Sequence, residues 1–368
     1  MKLRRLTGLL LSLVLLFCTG CSQSAAPRSA PSPTAEEQAL SSPPEASAKA
    51  PSDQQAEEKT VSAEKNAPAP AQEVSFTLCA YLPVSSMTQG AAAVAEEYAG
   101  SIAALDYLVL NTGAYWDENG ALSLSDELLD AIETLQGKTA LWCTVNPQGA
   151  LIREGTAGQS IDSPQERQAL AQEIAAFAEQ YGLAGIDIDW EFPLDDEWED
   201  FSTFLITLKD TLSRNSEPVA LSLALYPEEI ALSEEAIAAL DRIHMMAYDQ
   251  FDSEGFHSTM QAAEDAVAYF TALGASPQQL VLGIPAYGRP LDGSAQWVFY
   301  KDIDPESISG ENPDLVGDIS FNSAATAAQK TQYALEQNLG GVMVYQLLCD
   351  RNDQDALILA CANMAKNA

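Results

Sequence analysis

Positive charge is scarce in this chain: 18 Lys and Arg stand against 53 Asp and Glu in 368 residues, a formal charge of −35. Such a chain has no electrostatic grip on nucleic acid or anionic lipid, which requires clustered basic side chains. Histidine is scarcer still, and His244 and His257 alone cannot furnish a His-rich zinc site. The longest apolar run, Leu6 to Phe17, is too short for an ordinary membrane-spanning helix. Four cysteines lie past residue 73, namely Cys79, Cys143, Cys349 and Cys361, and none of the four sits in a C-x-x-C pair. Three of them occupy strongly apolar stretches, so buried free thiols are expected, with a disulfide as the alternative. The length itself allows one large domain or two ordinary ones.

What is present begins with an address. Lys2, Arg4 and Arg5 make a positive n-region, Leu6 to Phe17 an apolar stretch, and Thr19-Gly20 small residues before Cys21. Residues 1–21 resemble a bacterial lipoprotein signal, which implies Cys21 as the lipidated N-terminus after cleavage; a plain secretory signal is the alternative. Cys18 departs from such signals, which usually carry Leu there. Residues 22–73 are mostly Ala, Ser, Pro, Glu and Gln, without an aromatic or a glycine, and hold 8 of the 19 prolines. That composition cannot bury enough apolar surface to offset its ordering entropy, so a disordered, semi-extended tether is expected. Residues 74–368 keep 45 acidic against 11 basic side chains, so the acidity belongs to the folded part and favours neutral or cationic ligands.

Past Val74, short apolar runs alternate with amphipathic ones. Candidate strands are Phe76–Leu82, Asp106–Asn111, Thr139–Val145, Gly185–Glu191, Val219–Leu225, Arg242–Tyr248, Leu280–Ala286 and Gly341–Leu347. Several are near-continuous in apolar residues, as parallel strands covered on both faces require. Between them lie helical patterns, clearest at Pro164 to Tyr181. Ser163 can cap that helix, Glu166 completes a capping box, and Gly182 stops it. Eight β-then-α units predict an α/β fold, a (β/α)8 TIM barrel preceded by a signal peptide and a disordered linker. A doubly wound open sheet competes, but it would more often carry a glycine-rich loop after its first strand, and Tyr81-Leu-Pro-Val-Ser-Ser-Met87 has none.

The fourth candidate strand reads Gly185-Ile-Asp-Ile-Asp-Trp-Glu-Phe-Pro193. Strand side chains alternate, so Asp187, Asp189 and Glu191 point one way and Ile186, Ile188 and Trp190 the other. The apolar set suits the helix layer. The carboxylates therefore face the barrel interior, with Glu191 nearest the C-terminal rim where barrel enzymes keep their chemistry. Three such acids cannot all ionise cheaply, so at least one stays protonated near neutral pH. A protonated carboxyl at a cleft mouth suits protonation of a glycosidic oxygen. Aligned carboxylates could also take Ca²⁺ or Mg²⁺, but no loop with the usual calcium-ligand spacing accompanies them. No metal and no cofactor is expected.

Leu183-Ala-Gly-Ile-Asp-Ile-Asp-Trp-Glu-Phe-Pro193 resembles the D-x-x-D-x-D-x-E signature of glycoside hydrolase family 18, the chitinases and endo-β-N-acetylglucosaminidases. Three more segments match in order. His244-Met-Met-Ala-Tyr-Asp249 resembles the family's M-x-Y-D, Leu282 to Arg289 its G-I-P-x-Y-G-R, and Gly340-Gly-Val-Met-Val-Tyr345 its G-G-x-M-x-W. The resemblance implies retaining, substrate-assisted cleavage, which dispenses with a protein nucleophile. It implies Glu191 as general acid and later base, and Asp189 as partner of the substrate acetamido N–H. Asp187 would share a proton with Asp189, Tyr248 would orient the acetamido carbonyl, and Asp249 would bind sugar hydroxyls.

Further roles follow from parity and position. Met246 shares the inward parity of Tyr248 and would line the sugar site, whereas His244 is expected in a lower core layer. Tyr81 and Thr144 occupy positions where the family often places hydroxyls supporting the inner Asp, and Tyr81 is also a candidate sugar contact. Trp116, Trp198 and Trp297 fall on predicted rim loops, where an aromatic either stacks on a sugar or packs its loop. Tyr287 and Arg289 would contact substrate or brace the rim. Two positions depart from the pattern: Ala184 replaces the first signature Asp, and Tyr345 replaces the Trp that usually floors the central subsite. Only about thirty residues separate Arg289 from the helix expected near Ser323, too few for a deep α+β insertion. A shallow, open groove is expected. Two functions stay open: an extracytoplasmic hydrolase of N-acetylglucosamine glycans, monomeric and touching the membrane only through its lipid, or a silent glycan-binding barrel.

Overall fold

The computed structural model describes residues 75–308 and 312–368; the signal segment 1–21 with Cys21, and the tether 22–73, lie outside the described residues. Eight parallel strands form the centre: Thr77–Pro83, Tyr107–Trp116, Ala140–Pro147, Gly185–Ile188, Ala220–Leu225, Arg242–Met245, Leu280–Pro285 and Gly341–Tyr345. Each pairs with its neighbour in sequence, and the eighth also pairs with the first, so the sheet closes. Helices separate successive strands throughout, the longest being Pro164–Tyr181 and Trp198–Leu212. This is the (β/α)8 barrel that the alternation of apolar and amphipathic segments predicts.

Local sequence explains the elements. Helix Pro164–Tyr181 starts where Ser163 accepts the Glu166 N–H while the Glu166 carboxylate accepts the Ser163 N–H. Such a cap stabilises a helix by about 1 kcal/mol. It ends at Gly182, whose φ of 62° is left-handed and open to glycine at little cost.

Alternation along the strands divides the core into two compartments. Ile186, Ile188 and Trp190 are buried against the helix layer, as their parity predicts. Cys79, Tyr81, Tyr107, Val109, Trp142, Met246, Tyr248, Val281 and Met343 pack inside the barrel. Gly185 has inward parity, and a Cβ there would lie 2.2 Å from a ring carbon of Trp142. The indole thus fills the room that a side chain at 185 would take. Cys79, Cys143, Cys349 and Cys361 are all free and buried, the first of the two expected states.

Three strand ends differ from expectation by three residues or more. The fourth and sixth strands stop at Ile188 and Met245, earlier than the predicted Glu191 and Tyr248. Asp189, Glu191, Tyr248 and Asp249 therefore stand on the connections leaving those strands. The second strand instead runs on to Trp116, through an irregularity in which Leu110 and Ala114 pair with Cys143 and Val145. After the seventh strand, short strands Tyr287–Pro290, Val298–Phe299, Leu315–Val316 and Ile319–Ser320 make a small antiparallel sheet. The helix near Ser323 begins at Ala324 and is followed by the eighth strand and a final helix, Leu357–Asn367.

Candidate active site

Strand register assembles the floor of the site. Thr144, Asp187 and Ser222 lie side by side on the third, fourth and fifth strands, all facing inward. Asp187 is fully buried, and three hydroxyls donate to it: Tyr81 at 2.9 Å and Thr144 at 3.0 Å to Oδ2, and Ser222 at 2.5 Å to Oδ1. His244 Nδ1 lies 3.3 Å from Oδ1 and 2.7 Å from the Tyr81 hydroxyl. Tyr81 and Thr144 thus support the inner Asp as the resemblance implies. Tyr81 is only 2 % exposed, so its role as a direct sugar contact is corrected to that of a buried support.

Asp189 sits one step above. Asn146 accepts its backbone N–H at 2.8 Å, while its Oδ1 is buried without a hydrogen-bond partner. Burial, then the charges of Glu191 and Asp187, hold its carboxyl well above the usual carboxylate range. The hydroxyls and His244 satisfy Asp187, and among the described residues no hydrogen bond joins it to Asp189. Glu191 reaches the rim and is exposed as a residue, yet the protein packed about its carboxyl raises its pKa, with the Asp249 charge adding to the effect.

The opposite wall is aromatic. Tyr248 and Met246 are 7 % and 8 % exposed, and burial lifts the Tyr248 hydroxyl well above the tyrosine range. Gly283 makes room for that ring: a Cβ there would lie 2.3 Å from the Met245 carbonyl and 2.9 Å from Tyr248. Tyr345, half-buried, stacks on Tyr248 with centroids 5.5 Å apart. Trp297 lies edge-on to Tyr345 at 6.3 Å and flat on Tyr287 at 3.8 Å, and stays partly open.

Asp249 is braced by protein. Tyr287 donates to Oδ2 at 2.8 Å, Arg289 pairs with Oδ1, and the Asp249 backbone N–H donates to His257 Nε2 at 2.9 Å. Its φ of 59° is left-handed, a conformation that Asp tolerates better than most side chains. Tyr287 is fully buried, and Arg289 also lies over the Phe251 ring. Both residues brace the rim, the second of their two expected roles, and Asp249 is held by them on both oxygens.

Two rim aromatics need correction. Trp116 is completely buried, donates to Ser160 at 2.9 Å, and packs on Trp190 and Phe204 in the helix layer. Trp198 is 7 % exposed and packs on Phe201 at the start of its helix. Neither presents a face to a sugar. Tyr115 and Tyr226 were not among the candidates, yet both are half-buried at the cleft. Burial and then the Asp189 charge raise the Tyr115 hydroxyl, and the Asp249 charge is among the causes at Tyr226. Ser222, Asn146 and Tyr107 were also missed; a lone Ser in Ala-Leu-Ser-Leu-Ala-Leu at inward parity was the available signal.

A closed barrel with a column of acids at the C-terminal mouth of its fourth strand puts the candidate site where barrel enzymes keep their chemistry. The family model described as "Glycosyl hydrolases family 18" matches residues 57–350, and the chain belongs to that family. It is 27 % identical over 181 residues to the probable chitinase 2 of Drosophila melanogaster, covering 44 % of this chain and 37 % of that protein. Among solved structures, a chitinase from Bacteroides thetaiotaomicron superposes with a TM-score of 0.65 at 21 % identity, covering 79 % of this chain and 96 % of that one. A family 18 chitinase from Cycas revoluta, solved in complex with (GlcNAc)3, gives a TM-score of 0.60 at 20 % identity, covering 78 % and 99 %. These likenesses establish the barrel. The chain spans 11–60 % of the length of the curated relatives it matches.

Proposed function

We propose that the chain is a retaining, substrate-assisted hydrolase of β-linked N-acetylglucosamine glycans. Chitin oligosaccharide, N-glycan core and peptidoglycan are the candidate substrates. The observation that carries this reading is the buried, unpartnered Oδ1 of Asp189 beneath Glu191. A buried carboxyl with an empty hydrogen-bonding position calls for a ligand, and an acetamido N–H supplies the matching donor.

The chemistry follows from the two perturbed carboxyls. Glu191, whose carboxyl pKa is raised by burial and by the Asp249 charge, gives its proton to the glycosidic oxygen as the bond to C1 breaks. The substrate acetamido oxygen attacks C1 from the opposite face and forms a cyclic oxazolinium ion. Water then attacks C1, Glu191 takes its proton, and the acetamido bond to C1 opens with net retention. Asp189 holds the acetamido N–H and faces the developing positive charge, while the Tyr248 hydroxyl orients the acetamido carbonyl. Tyr345 and Met246 floor the sugar, and partly open Trp297 flanks it. The short insertion after the seventh strand supports a shallow, open groove.

The N-terminal segment supports export and anchoring through Cys21, with residues 22–73 as spacer to the barrel. Chitinase relatives fit this assignment, as does the glycan held by the Cycas revoluta protein.

The test compares the full chain with Glu191→Gln on fluorogenic chito-oligosaccharides, N-glycoprotein and peptidoglycan. Wild-type release should fall at least about a hundredfold in the variant, the scale of a lost general acid, with sugar affinity retained. Binding without turnover in the wild type would instead make the barrel a glycan-binding protein.

A further inference from the structure

Beneath Asp187 the barrel holds a line of polar groups that the reaction scheme does not use. His244 is fully buried among Tyr81 of the first strand, Tyr107 of the second, Trp142 of the third and Asp187 of the fourth. Its Nδ1 meets the Tyr81 hydroxyl at 2.7 Å and its Nε2 meets the Tyr107 hydroxyl at 2.9 Å.

Each of these groups has few protons to give, so their directions are tied together. The Tyr81 hydroxyl has one proton, and Asp187 receives it. The Tyr81 oxygen can then only accept from His244, which requires a proton on Nδ1. With that proton on Nδ1 and none on Nε2, Tyr107 donates to Nε2. The run from Tyr107 through His244 and Tyr81 to Asp187 uses each of these protons once and ends on the one group that also accepts from Thr144 and Ser222.

We infer that His244 is a positioning residue for the acid column: its Nδ1–H fixes the direction of the Tyr81 hydroxyl, so that this hydroxyl keeps donating to Asp187 and Asp189 above it is left for the acetamido group. The inference rests on the hydrolase reading for its consequence, but not for the arrangement itself. Without the Nδ1 donor, Tyr81 is free to turn its proton toward position 244 and abandon Asp187. Asp187, short of a donor, then draws Asp189 toward itself, and the site loses the carboxyl poised under the acetamido group.

The experiment has two parts, both on the full chain. Nitrogen NMR of isotope-labelled histidine is read in the resting protein, where only two residues contribute. His257 also accepts at Nε2, from the Asp249 amide, so both rings should carry their proton on Nδ1. The signals lost in His244→Asn assign the pair. A proton on Nε2 of His244, alone or together with Nδ1, would overturn the inference. In the second part, Asn places its amide nitrogen near the Nδ1 position and Gln near Nε2. His244→Gln should lower kcat by roughly ten- to a hundredfold, as for a lost hydrogen bond to a charged group, with KM little changed. His244→Asn should recover most of that loss, whereas equal activity in the two variants would contradict the assignment. A wild type without turnover but with Nδ1-protonated His244 would sink the hydrolase reading and leave the hydrogen-bond line standing.

Discussion

At Glu191, burial comes first and the charge of Asp249 second in raising the carboxyl pKa. The sign of the consequence is fixed: a general acid works while protonated, so activity declines as pH rises through the raised value. Asp249→Asn removes the second cause and leaves the first. The alkaline limb of kcat/KM should therefore move to lower pH, by about one unit or less, because Glu191 is exposed enough for solvent to screen the interaction. Loss of the brace to Tyr287 and Arg289 would also lower the rate, so the midpoint of the limb is the quantity to measure. An unmoved midpoint would show that burial alone sets this acid. The same residues show how far sequence reaches at this scale. Parity alone turns Asp187, Asp189 and Glu191 inward. The absence of a bond between Asp187 and Asp189 depends on hydroxyls from three other strands, whose register no local pattern contains.

At the scale of the element, the second strand shows what alternation can and cannot tell. Asn111-Thr-Gly113 reads as the end of a strand, which places Trp116 on a rim loop. These residues instead form the irregularity between Leu110 and Ala114, with Thr112 at a left-handed φ of 65°. Bulges of this kind sit at barrel rims and re-aim the residues that follow. Pairing resumes, Tyr115 lies at the cleft, and Trp116 enters the helix layer. The fold stayed legible because eight such units each carry an apolar run and a helix signal, and one misread end does not alter their order. Sugar contacts were less legible because a rim aromatic's direction turns on a single residue of register. Trp116→Ala should cost about 3–5 kcal/mol in denaturant unfolding, the range for emptying a fully buried large aromatic site, with KM for chito-oligosaccharide unchanged. Tyr115→Ala should do the reverse, raising KM with stability within about 1 kcal/mol of wild type. Exchange of the two outcomes would return Trp116 to the cleft.

For the whole molecule the dominant quantity is charge. Residues 74–368 carry 45 acidic and 11 basic side chains, and the ion pairs Arg167–Asp200, Lys209–Asp241 and Arg214–Asp210 engage only a few of them. Screening acts on both: salt weakens these attractions, and it weakens the repulsion among the unpaired majority. The Debye length is about 30 Å at 0.01 M and about 8 Å at 0.15 M, so at low salt carboxylates repel across the barrel and at physiological salt only near neighbours do. Repulsion involves many more partners, and the exposed ion pairs are individually weak, so its relief should prevail. The thermal midpoint should rise by a few degrees, on the order of 2–4 °C, between these ionic strengths. The same field acts on ligands. KM for a neutral chito-oligosaccharide should be nearly independent of salt, whereas KM for anionic peptidoglycan fragments should fall as salt screens the approach. A midpoint that drops with salt would mean that Arg167–Asp200 and Lys209–Asp241, both partly buried, hold the barrel more strongly than its surplus charge strains it.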